Sequence, residues 1–199
     1  MTAPRKLGVT PLSAVVYPQK RGDFMQTYSA RKFWPLDPNP ADIEIVDIAH
    51  SLSMQCRYAG HCKRFYSVAE HCVLLADWML GVAPEHALWA LLHDASEAYM
   101  VDVPRPLKRS MPDYLAAERL VMRAVCKRFQ LPDAMPALVH EADTDIIADE
   151  LVNMEYMPWH DKHDNPLGVK LRYWGPSVAE TEFLNMYDTL TGMRAKEAA

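Results

Sequence analysis

LLHDASEAYMVDVPRPLK, residues 91–108, is the stretch on which the reading of the chain turns. Its first half reads as the end of a buried helix over 84–99. Pro84 is a favoured first helical residue, and Ala87, Leu88, Leu91 and Leu92 form an apolar stripe. Yet His93, Asp94 and Glu97 lie on or beside that stripe, and Asp102 follows just beyond. Ionisable groups in apolar surroundings are costly unless they are paired or hold a metal. His93 and Asp94 point about 100° apart around a helix axis, so both can converge on an ion placed between their directions. Glu97, four residues after His93 and three after Asp94, shares their side.

Working outward, residues 67–80 read as a helix opened by Ser67 with Glu70 three positions later, the pattern of a capping box. Val68, Leu75 and Trp78 mark its apolar side, and His71 lies one turn from Val68 and Leu75. Downstream, LVHEADTDIIADE places Asp143 on the same side as Val139 and Ile147, whereas Asp145 and Asp149 read as a solvated face. A lone histidine on an apolar face is most often a core residue bonded to a carbonyl. Here two histidines and two aspartates on three helices share the same anomaly. Together they make an N₂O₂ set suited to Mn, Fe, Co, Ni or Zn, with positions left over for water and a substrate oxygen. The H-E-x-x-H motif is absent, since His140-Glu141 is followed by Thr144, and seven glycines leave no glycine-built phosphate loop.

The remaining pattern is helical. Residues 41–56 space Ile45, Ile48, Ala49 and Leu52 as a helix, and further helices are expected over 113–130, 136–156 and 177–192. The last opens on a second capping-box pattern, Ser177 and Glu180. Residues 23–37 suggest a short hairpin or extended segment, and 165–176 a break with one short strand. About six helices with little sheet make the fold class all-α. Residues 1–22 read as an irregular arm and 23–199 as a single domain, which 199 residues suffice to build.

The net charge of −5 argues against a dedicated nucleic-acid binder but leaves room for local basic patches. Cys56, Cys62, Cys72 and Cys126 show neither C-x-x-C nor zinc-finger spacing, so they read as small buried residues in a reducing compartment. Neither a signal-type apolar region nor a stretch of membrane-spanning length is present. A cytoplasmic protein, away from membranes, is the expectation.

The order His71, then His93-Asp94, then Asp143 resembles the H…HD…D signature of the HD-domain metal phosphohydrolases. YSVAEH at 66–71, LLHDASEAYMVDVPRPLK at 91–108 and EAD at 141–143 are similar to the nucleotide-hydrolysing branch. That branch includes bacterial HD-domain 5′-deoxynucleotidases and phage dATP triphosphohydrolases. CRYAGHCKRFYSVAEH at 56–71 resembles phage-encoded and prophage HD proteins. The likeness covers about residues 41–155 and lacks the continuation after HD that marks HD-GYP phosphodiesterases.

The resemblance implies an HD-domain helical bundle in which His71, His93, Asp94 and Asp143 hold a divalent metal (Mn, Co, Zn, Mg, Ni or Fe). It implies that Glu97 orients or deprotonates water, with a supporting contact to His93 as the other reading. Asp102 would assist the leaving group or contact the sugar. Arg57 and Lys108, with His140 as a further contact, would bind phosphate, while Lys63, Arg64 and Arg105 read as solvated and His50 and His61 as structural. Tyr58, Trp34 and Trp89 read as core or as base-stacking residues.

The expected activity is hydrolysis of a deoxynucleoside 5′-monophosphate in a homo-oligomer, in the host cytoplasm for a phage-encoded chain. The alternatives are release of triphosphate from dATP, or nucleotide binding without turnover. A diiron oxygenase would need extra ligands, for which His61 and His140 are the candidates.

Overall fold

The computed structural model describes residues 22–197. The arm expected over 1–22 lies, but for Gly22, outside the described residues. The fold is all-α. A two-strand antiparallel hairpin, β1 (Met25–Gln26) and β2 (Lys32–Phe33), precedes the helices α1 (Ile45–Met54), α2 (Val68–Val82), α3 (Ala87–Leu92), α4 (Glu97–Met100), α5 (Arg105–Lys108), α6 (Pro112–Phe129), α7 (Ala137–Glu150) and α8 (Pro176–Glu197). The centre is α2, packed against α1, α3, α7 and α8. It is apolar almost all round, with every residue from Val68 to Ala76 buried, as a helix enclosed by others must be.

Residues 23–37 form the expected hairpin, and Ser29 ties it to α1. The Ser29 N–H and hydroxyl donate to the two carboxylate oxygens of the buried Asp47 at 2.6 and 2.9 Å. Phe33 stacks on Tyr99, ring centroids 3.9 Å apart, so the hairpin also leans on α4. The helix expected over 41–56 starts later, because Asn39 caps a separate 3₁₀ turn, Pro40–Asp42, and Ile43 and Glu44 are extended. The one expected over 136–156 ends at Glu150 and tightens into a 3₁₀ turn, Leu151–Asn153. Over 165–176 the described residues contain no strand. Asp149 accepts the N–H groups of Leu167 and Gly168 at 2.8 and 3.1 Å, and Asp145 accepts from Asn165 at 2.6 Å. The supposed solvated face of α7 is thus what holds this loop.

Both capping boxes need correction. Ser67 accepts the Glu70 N–H at 3.0 Å as expected, but the Glu70 side chain does not turn back to Ser67. It lies fully buried and accepts three consecutive backbone N–H groups, from Arg172, Tyr173 and Trp174, at 2.6, 2.8 and 2.7 Å. Tyr173 is left-handed, with φ 57°, which turns successive N–H groups toward one point and makes a nest for an anion. At α8 the helix already begins at Pro176, so Ser177 lies inside it. Glu180 instead meets His50 of α1 at 3.0 Å.

The three-donor nest makes Glu70 the residue that fastens the loop before α8 to the central helix. Glu70→Ala leaves those donors without an acceptor, at a cost of about 1–3 kcal/mol for a buried group so abandoned. Urea denaturation is expected to show a loss of about 2 kcal/mol or more, and an unchanged midpoint would contradict the role.

Candidate metal centre

The helix expected over 84–99 is broken, and the break builds the site. After α3 the chain passes through tight turns at His93–Ser96 before α4 begins. The Ala95, Glu97 and Ala98 N–H groups bond the carbonyls three residues back, at 3.0, 2.9 and 3.3 Å. His93 Nδ1 donates to the Ala90 carbonyl at 2.7 Å, an acceptor that a continuing α-helix would give to the N–H of Asp94. Asp and Ser, which favour local bonds over helix interiors, complete the interruption. At this break Asp94 Oδ2 lies 3.2 Å from His93 Nε2.

His71 reaches the same point from α2. Its Nδ1 is 2.7 Å from Glu150 Oε1. With both Nδ1 atoms committed, the two Nε2 atoms face each other at 3.2 Å. Asp143 Oδ1 from α7 lies 3.2 Å from His71 Nε2 and 3.5 Å from His93 Nε2, and Asp94 Oδ2 lies 3.9 Å from His71 Nε2. The structure thus gathers His71, His93, Asp94 and Asp143 into one cluster at the meeting of α2, the break and α7. Ligands about 2.1 Å from a metal stand about 3.0 Å apart along an octahedron edge and about 3.4 Å along a tetrahedron edge. The spacings among His71, His93 and Asp143, and between His93 and Asp94, suit a shell of that size, whereas His71 and Asp94 stand wider apart. Among the described residues His71, His93 and Asp143 make one group that could hold a metal ion, and Cys72, His93 and Asp94 another.

Burial and the facing charges oppose one another at this cluster. Burial alone would lower the pKa of His93, but Asp94, with hydrogen bonds to Asp143 and Asp94, raises it well above the usual range. Burial likewise pushes the Asp94 carboxyl up, yet the His93 charge holds it down at about 2. Asp143 is driven lower still by hydrogen bonds to both histidines. A divalent ion held among these groups would face the same two carboxylates and displace a proton on the imidazoles. Cys72 also approaches this region, its Sγ 4.0 Å from His93 Nδ1. That nitrogen is already bonded to Ala90, and burial pushes the Cys72 thiol up to about 11.

Behind the cluster lies Glu150, a residue the sequence reading passed over. It is fully buried and receives His71 Nδ1, the Tyr66 hydroxyl at 3.0 Å, the Tyr58 hydroxyl, and Arg57 Nη2 at 3.2 Å. Arg57, with His71, outweighs burial and holds its carboxyl at about 2. The helical spacing that singled out Asp143 extends to it, because Asp143, Ile147 and Glu150 fall at i, i+4 and i+7. Arg57 and Tyr58 get there through the 3₁₀ turn Arg57–Gly60, in which Tyr58 and Ala59 are left-handed, with φ 56° and 51°. Such residues cost about 1–2 kcal/mol each, and the bonds to Glu150 hold the turn in that shape.

Glu97 faces the site from α4. It is buried, its Oε2 has no hydrogen-bond partner among the described residues, and its Oε1 lies 3.9 Å from Lys108 Nζ. Burial, reinforced by the charges of Asp94 and Asp102, pushes its carboxyl up to about 9. Asp102, half-buried, follows Val101, whose φ of 70° is an outlier for a β-branched residue. Gln55, also missed in the sequence, secures this corner: its amide donates to the Glu97 carbonyl and its oxygen accepts the Asp102 N–H, both at 3.0 Å.

The basic residues divide. Arg57 stands between Glu150 and Asp94, 3.7 Å from the latter. Lys108 joins Glu118 at 2.5 Å. Arg105, read as a solvated residue, reaches Asp143 Oδ2 at 3.3 Å from a mostly exposed position. Lys63 turns away to Glu155 and Arg64 covers the Tyr173 ring. His140 is exposed one turn before Asp143 and is outside the set of short contacts. His50 stacks on Tyr28, and Trp89 is buried with its indole N–H on the Pro132 carbonyl. No helix among the described residues is long and apolar enough to cross a membrane.

No family model matches the chain. It is similar to the uncharacterized protein YfdR of Escherichia coli K12, 44% identical over 127 residues that cover 64% of this chain and 70% of the relative. It is also similar to the uncharacterized protein RCAP_rcc00048 of Rhodobacter capsulatus, 38% identical over 121 residues that cover 57% of this chain and 62%, under two thirds, of that relative. At that identity and coverage, the chain belongs to the same protein family as YfdR.

Proposed function

We propose that the chain is a metal-dependent phosphohydrolase of the HD-domain type, acting on deoxyribonucleotides and removing phosphate from 5′-monophosphates. The observation that carries this reading is the arrangement of four donors from α2, the break and α7. Two imidazole Nε2 atoms face each other with their Nδ1 atoms committed elsewhere, and two carboxylates close round them.

A divalent ion held by His71, His93, Asp94 and Asp143 would polarise a phosphoryl oxygen and acidify water. The chain's own groups supply the rest. Glu97 has a buried Oε2 without a hydrogen-bond partner among the described residues. With its carboxyl pushed up to about 9 it holds its proton near neutral pH, and a divalent ion held beside it would favour the carboxylate that takes the proton of the attacking water. Arg57 and Lys108 offer N–H groups to phosphate oxygens, and Arg105 can swing from Asp143 to do the same. Asp102 waits beyond Glu97, at the corner Gln55 fixes, to donate to the leaving oxygen or bind the sugar. The small number of cations favours one phosphate over three, because Lys63 and Arg64 are turned away and the others already face carboxylates.

Phosphate release is the direct test. With Mn, Co, Mg or Zn supplied in turn, deoxynucleoside 5′-monophosphates are expected to yield inorganic phosphate, and Asp94→Ala to abolish it. Tripolyphosphate from dATP would instead identify the triphosphohydrolase. Binding without turnover across all metals, or full activity in Asp94→Ala, would overturn the proposal.

Glu97→Gln is expected to lower kcat by about 10²–10⁴-fold, the usual worth of a positioned base, while metal binding measured by calorimetry stays within a few-fold. Equal losses in both would make Glu97 a supporting residue.

Glu150→Gln removes the charge that orients His71, and metal affinity is expected to fall by about 10–100-fold in a protein whose circular dichroism is unchanged. Undiminished affinity would refute that role.

A further inference from the structure

Cys56 and Cys62 are six residues apart, a spacing that does not announce a pair, yet their sulfurs stand 3.5 Å apart. The turn between them is responsible. Tyr58, Ala59 and Gly60 all have positive φ and reverse the chain within a few residues. Both limbs are fastened by backbone bonds. Cys56 bridges antiparallel to Ser67, the Arg57 N–H donates to the Tyr66 carbonyl at 2.9 Å, the His61 N–H to Tyr58 at 3.0 Å, and the Lys63 N–H to Asn153 at 2.8 Å. A disulfide has sulfurs about 2.05 Å apart, so bond formation requires an approach of about 1.5 Å, within the reach of two side-chain rotations. Both thiols are partly exposed, whereas Cys72 and Cys126 are buried.

We propose that Cys56 and Cys62 form an oxidisable thiol pair that reacts with low-molecular-weight disulfides and closes a bond across the Arg57–Gly60 turn. One cysteine thiolate attacks a sulfur of the small disulfide, a protein–small-molecule S–S bond forms, and one small thiolate leaves and takes up a proton. The second cysteine then gives up its proton and attacks the first cysteine's sulfur, the protein disulfide forms and the second small thiol leaves. One disulfide is reduced to two thiols as two protein thiols become one disulfide. Burial and the contact with Cys56 push the Cys62 thiol up to about 11. The bond would staple the turn that carries Arg57 and Tyr58 onto Glu150. Any effect on the metal cluster rests on the proposed function, but the thiol chemistry does not.

The test reads covalent structure alone. The full chain is incubated with oxidised glutathione, quenched by acid, alkylated under denaturing conditions and mapped by mass spectrometry. The expected result is loss of two of the four alkylatable thiols, recovery of a Cys56–Cys62 cross-linked peptide, and restoration of all four by dithiothreitol. Cys62→Ser is expected to stop at a mixed disulfide on Cys56. All four thiols remaining alkylatable, a stable mixed disulfide in the unsubstituted chain, or a cross-link involving Cys72 or Cys126 would each overturn the proposal. Because no nucleotide or metal enters the measurement, its failure is distinct from failure of the hydrolase reading.

Discussion

The bond between His71 and Glu150 is the constraint around which the rest of the structure is arranged. Both side chains are fully buried, one in the first turn of α2 and the other at the last residue of α7. A buried carboxylate with a single partner would be a liability, since the desolvation of a charge is returned only when its remaining lone pairs are also engaged. Glu150 engages them through Tyr58, Tyr66 and Arg57. The bond therefore demands that α7 dock on α2 in one register, and that the turn after α1 fold back to deliver two of the donors. With that satisfied, His71 has one nitrogen left, and its direction is fixed.

The second half of the cluster rests on a local failure of helix geometry. The bond from His93 to the Ala90 carbonyl takes an acceptor from the ladder, the chain tightens, and both side chains arrive at one point. Strain is distributed around the same region, at Tyr58, Ala59 and Val101. Such strain persists only where surrounding bonds over-determine it, and here those bonds come from Glu150, Gln55 and Tyr114, whose hydroxyl donates to the Val101 carbonyl at 2.6 Å.

Periodicity in the sequence was sufficient for the helical fold class and singled out His71, His93, Asp94 and Asp143, whose side chains lie close together in the structure; aromatic alternation marked the hairpin before α1. Each of those residues breaks an apolar stripe, and a broken stripe is visible in one dimension. Glu150 was visible by the same logic but lies next to Asp149 and at a helix end, where acids are unremarkable. Gln55 carried no signal, because its role is to join two segments distant in sequence. The capping boxes misled for a related reason: a local motif was satisfiable, but Glu70 and Glu180 found partners more than a hundred residues away. The break after Leu92 was hidden because its cause is a side chain competing with the backbone, which periodicity cannot register.

Glu70 has a consequence for what counts as the smallest self-sufficient piece of this molecule. The nest it fills belongs to residues 172–174, beyond every member of the metal cluster in the chain, yet it sits one residue from His71 on the central helix. The part of the chain after α7 is thus a buttress: its described residues contribute nothing to the cluster's inner shell, and they still hold the first turn of α2 in place. A fragment cut after α7 would retain all four candidate ligands and Glu150, but Glu70 would be left as an unanswered charge beside one of them.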